Sequence, residues 1–70
     1  MTKKDKQAIQ EFLSLSWSSQ QLVRSYARKW QKLNFRLGGI DQTSKIEMER
    51  LEKNAIKEGI SNPCRLFHLI

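Results

Sequence analysis

Arg24, Arg28, Lys32 and Arg36 recur at every fourth position of a stretch that carries no acid from residue 12 to residue 40. In an α-helix, every fourth residue is turned by about 40° and advanced by about 6 Å. The four cations, with Lys29 beside them, then make one continuous basic ribbon. Like charges at this spacing repel by about 0.2–0.5 kcal/mol per pair. No acid on the same stretch relieves them, so an external anion is one resolution. Acids from another helix, or water and salt, are the other. The net charge is +6, and nearly all the excess lies here. A localised positive field attracts polyanions or acidic protein faces. Arg24, Arg28, Lys29, Lys32 and Arg36 are therefore the candidate contacts for nucleic acid, or alternatively for an acidic protein partner.

The remaining reactive residue types offer less. Cys64 and His68 are the only cysteine and the only histidine. On a helix they share a face, and two copies in a symmetric dimer would assemble a Cys2His2 set. The simpler reading makes Cys64 a small buried apolar residue and His68 an exposed or capping one, so no metal is expected. One cysteine cannot form an internal disulfide. The serines have no nearby His–Asp partners. The acids of residues 41–60 stand at helical spacing from Lys or Arg and read as a solvated face. No catalytic residue, cofactor or small-molecule substrate is expected, and the chain reads as a non-enzyme.

Two sharper nucleic-acid readings find little support. A helix-turn-helix register would place Trp17 in the tight turn, which usually carries Gly, and Leu13 at the usual small position. Tyr26 and Trp30 could stack on bases, but they fall on the apolar face of their helix and read as core. A basic amphipathic helix also suits an anionic membrane surface, a third and weaker alternative.

Seventy residues make one domain, 1–70, with a thin core, because a chain this short buries only about 60% of its unfolded surface. No apolar run approaches the roughly 20 residues of a membrane span. No apolar segment follows the charged MTKKDKQ stretch, so no secretory signal is expected. With a single cysteine, this points to a reducing, cytoplasmic setting.

The elements that must position the ribbon are all helical. The chain is expected to be all-α: a small antiparallel bundle of three helices, about 2–15, 18–37 and 43–58, with a short C-terminal fourth helix, 63–69, closing one end. Thr2 can cap the first, with Asp5 favourable at its N-terminus. Ser18 and Gln21 fit a capping box for the second, with Trp17 and Leu22 at the staple positions. Gly39 and Gly59 read as left-handed terminators, each followed by an isoleucine that packs back, Ile40 on Phe35 and Ile60 on Ala55. Ser44 with Glu47 is a capping box for the third helix, with Asp41 as the cap of a longer version. Asn62 with Pro63 opens the fourth.

The expected core holds Ile9, Phe12, Leu13, Leu22, Tyr26, Trp30, Leu33, Met48, Leu51 and Leu66. Leu66, Phe67, Leu69 and Ile70 are too apolar to lie free in solvent. They should pack on the other helices or form a protein-interaction tail, including a possible homodimer seam.

Overall fold

The computed structural model describes residues 2–37 and 42–70. They form four helices: α1, Lys3–Leu13; α2, Trp17–Leu37; α3, Gln42–Glu58; and α4, Pro63–Leu69. There is no strand among the described residues. No helix there is long and apolar enough to cross a membrane.

Local chemistry accounts for most helix ends. The Thr2 hydroxyl accepts from the Asp5 N–H and the Asp5 carboxylate accepts from the Thr2 N–H, each at 3.2 Å. This reciprocal capping box satisfies two of the orphan donors of α1. Gly59 has φ +114° and ends α3. The Ile60 N–H donates to Ala55 O at 3.1 Å and the Gly59 N–H to Ile56 O at 3.0 Å, the two bonds of a Schellman ending. Ile60 and Ala55 are both fully buried. Asn62 caps α4 through its side chain, with Pro63 in the first turn. The expectations at Gly39, Ile40 and Asp41 lie outside the described residues.

Two expected starts are corrected. Helix α2 is capped by Ser16: its Oγ accepts from the Ser19 N–H at 3.3 Å, and its carbonyl accepts from the Gln20 N–H at 2.9 Å. Gln20 Nε2 then donates back to the carbonyls of Leu13, at 3.3 Å, and Leu15, at 3.1 Å. That side chain satisfies the acceptors of the tight α1–α2 turn, so the helix starts two residues earlier than Ser18 would allow. Trp17, 75% exposed, and Leu22, 47% exposed, consequently form no staple. Helix α3 begins at Gln42, so Ser44 is a buried residue of the first turn and not its cap.

The core consists of Ala8, Phe12, Val23, Ala27, Trp30, Ala55, Ile60, Leu66 and Phe67, flanked by Leu15, Tyr26, Met48 and Leu51. Phe12, Trp30 and Leu66 match expectation, while Leu13 and Leu22 are exposed and Ile9 and Leu33 are half-buried. On α2 the buried stripe is Val23, Ala27 and Trp30, within about 60° of arc, and Leu22 lies well outside it. Leu66 and Phe67 of α4 are fully buried in the same cluster as Ala8, Ala27 and Ala55.

Helix α4 packs against each of the other three, and α2 packs most extensively on α3. The Trp30 and Phe67 rings lie 5.7 Å apart, and Trp30 meets His68 edge-on at 4.9 Å. Gln31 Nε2 donates to the Phe67 carbonyl. Arg65 pairs with Asp5 at 2.7 Å, and Ser61 Oγ binds both oxygens of Glu11 at 2.9 and 2.8 Å, tying α1 down.

Candidate nucleic-acid interface

Burying Val23, Ala27 and Trp30 turns the opposite side of α2 outward. Arg24, Arg28, Lys29 and Lys32 are all exposed there. They surround a shallow hollow of about 370 Å³ completed by Gln21 and Ser25. Arg36 stands at the next step of the ribbon on α2, and its side chain is outside the described set.

Among the described residues, Arg65–Asp5 is the one ion pair within 4.0 Å. Arg24, Arg28, Lys29 and Lys32 thus make no ion pair within 4.0 Å with the described acids of α3, although Glu47 shares a groove with Lys29 and Lys32. Arg24 is the most constrained of these, with its guanidinium carbon 5.6 Å from the centre of the Phe12 ring. That contact places one end of the ribbon beside α1. The other three keep the reach of long, solvated side chains.

The aromatics expected in the core are withdrawn from the basic face. Trp30 is buried and Tyr26 half-buried. The exposed aromatics are Trp17, at the start of α2, and Phe35, 94% exposed near its end. Neither borders the hollow.

The tail expectation divides. Leu66 and Phe67 are fully buried core residues and present no surface to a partner. Leu69 and Ile70 are partly exposed, and Ile70 borders a small hollow with Arg24 and Arg28. The free end of the apolar tail therefore adjoins the basic ribbon.

Cys64 and His68 are exposed and share a hollow with Asp5, Asn62, Arg65 and Leu69. Partial burial pushes the Cys64 thiol up, and the negative charge of Glu52 adds to the shift, so the nucleophilic thiolate is suppressed. No group of three metal-ligating side chains occurs among the described residues.

Sequence reasoning missed Arg50. It lies on α3 among acids and reads there as half of a surface pair, yet it faces Lys29 and Lys32 across a groove between α2 and α3. The missing signal is tertiary, because only the packing of α3 on α2 brings these cations together. No protein-family model matches the chain, and comparison with curated proteins and with solved structures gives no match either.

Proposed function

We propose that this is a small non-catalytic binding or regulatory protein that engages nucleic acid through the exposed basic face of α2. The observation that carries the reading is the set Arg24, Arg28, Lys29 and Lys32, side by side, exposed and with no ion pair within 4.0 Å among the described residues. Phosphates would relieve the mutual repulsion and release condensed counterions on binding. The contacts are to backbone phosphates, so affinity depends on charge more than on base sequence. Arg28 and Lys32 sit at the centre of the contact, with Arg24, Lys29 and Arg36 extending it.

The test is fluorescence anisotropy with labelled DNA and RNA across a salt series. Affinity should fall log-linearly with salt, by about 0.7 to 0.9 per phosphate contacted. Arg28→Ala should lower that slope by about one contact and weaken binding to all sequences alike. Affinity independent of salt would overturn the reading.

A second reading has its own observation. Ile70 adjoins Arg24 and Arg28, which makes a mixed apolar and basic patch suited to an acidic protein or a second copy of the chain. Under that reading single substitutions mainly slow association, and generic nucleic acid does not compete.

A further inference from the structure

Lys29 and Lys32 border two hollows at once. On one side they complete the basic ribbon with Arg24 and Arg28. On the other they form the mouth of a groove of about 420 Å³ between α2 and α3, opposite Arg50. The half-buried Leu33 and Leu51 line it, and Glu47 and Asn54 supply its other polar groups. This volume is within the usual range of about 300–1,000 Å³ for small-ligand sites.

We propose that this groove takes one unpaired nucleotide of a single-stranded nucleic acid whose adjoining phosphates run along α2. The inference rests on the basic-face reading above and names its substrate class. Three cations at the mouth suit a phosphate. Leu33 and Leu51 offer an apolar surface to the face of a base. The Asn54 carboxamide can both donate and accept, and the Glu47 carboxylate accepts, which suits the hydrogen-bonding edge of a base.

In a duplex that edge is already paired, and a base must be unstacked before it can leave the helix. A single strand presents it free. Continuity through Lys29 and Lys32 lets one strand occupy ribbon and groove together.

The experiment compares labelled oligo-dT of roughly 12 nucleotides with its oligo-dA duplex, for the whole chain, at about 50 and about 200 mM salt. The single strand should bind about tenfold tighter than the duplex. Arg50→Ala and Asn54→Ala should each weaken single-strand binding about fivefold or more and change duplex binding less than about twofold. Arg28→Ala should weaken both. Arg50 is exposed, so its variant retains the fold even if the half-buried Asn54 variant does not, and circular dichroism melting verifies each.

Equal or tighter duplex binding, or equal losses on both forms for Arg50→Ala, would overturn the groove assignment and leave the basic-face reading standing. Displacement by micromolar thymidine monophosphate would assign the groove to a free nucleotide and overturn the strand as its source. Equal competition by polyglutamate would show that charge alone is read and overturn it as well. No binding to either form at the lower salt would overturn both readings.

Discussion

Asp5 and Arg65 are sixty positions apart, and one carboxylate oxygen of Asp5 accepts from the Arg65 guanidinium at 2.7 Å while the other accepts from the Thr2 backbone N–H at 3.2 Å. A single side chain thus caps α1 and fastens it to α4. The Arg65 hydrogen bond, followed by that from the Thr2 backbone, holds the Asp5 carboxyl below its usual pKa. A depressed folded-state pKa stabilises the fold above the unfolded value of about 3.9. That contribution disappears as pH falls through the folded value. Asp5→Asn should therefore melt below the parent at neutral pH, with the gap closing under acid conditions. A gap that stays constant with pH would show that the charge of Asp5 is not what fastens α1.

Gly59 makes a separate prediction. At φ +114° a side chain is strained wherever it points, while the nearest atom to an added Cβ, Leu15 Cδ2, is at an ordinary 3.4 Å. Gly59→Ala should cost about 1 kcal/mol, from the backbone and not from a clash. Urea denaturation measures it, and further trimming Leu15 to Ala should not restore the loss.

The two serines near the start of α2 separate the cap that forms from the one that the local pattern suggests. Ser16→Ala should destabilise by about 1 kcal/mol, because the Ser19 N–H loses its acceptor. Ser18→Ala should change stability by less than about 0.5 kcal/mol, the usual range for an exposed site. A larger loss at Ser18 would move the helix start.

Two tail residues should behave oppositely. Phe67 is fully buried against Trp30, so Phe67→Ala should cost about 3–5 kcal/mol, enough to unfold a domain of marginal stability. Leu69→Ala, at a 39% exposed position, should leave melting nearly unchanged. Thermal melts of both variants distinguish a docked α4 from a tail that is held only by a partner.

The ribbon beyond Arg24 should be dispensable for folding. Arg28 is exposed and has like-charged neighbours, so Arg28→Ala should melt at or slightly above the parent temperature. Arg24→Ala removes the guanidinium from over Phe12 and should cost about 0.5–1 kcal/mol. A strongly destabilised Arg28→Ala would make the ribbon structural and deprive the binding reading of its main support.

What the sequence determined by itself is local. The capping box at Thr2 and Asp5, the Gly59–Ile60 ending and the Asn62–Pro63 start each depend on groups a few residues apart, and a helix brings such groups together whatever surrounds it. The all-helical class and the basic face of α2 follow from the same short-range periodicity. Tertiary structure decided which residues fill the core. Leu22 has the larger side chain, but Val23 and Ala27 are buried, because α2 packs on α3 and α4 through the face that carries them and Trp30. The Ser16 cap is local as well, since its partner Ser19 and the Gln20 side chain that folds back on the turn lie within seven residues of it. The Asp5–Arg65 and Glu11–Ser61 ties and the meeting of Arg50 with Lys29 and Lys32 join positions from 18 to 60 residues apart. Such pairs depend on how the helices pack, and no local pattern along the chain encodes that.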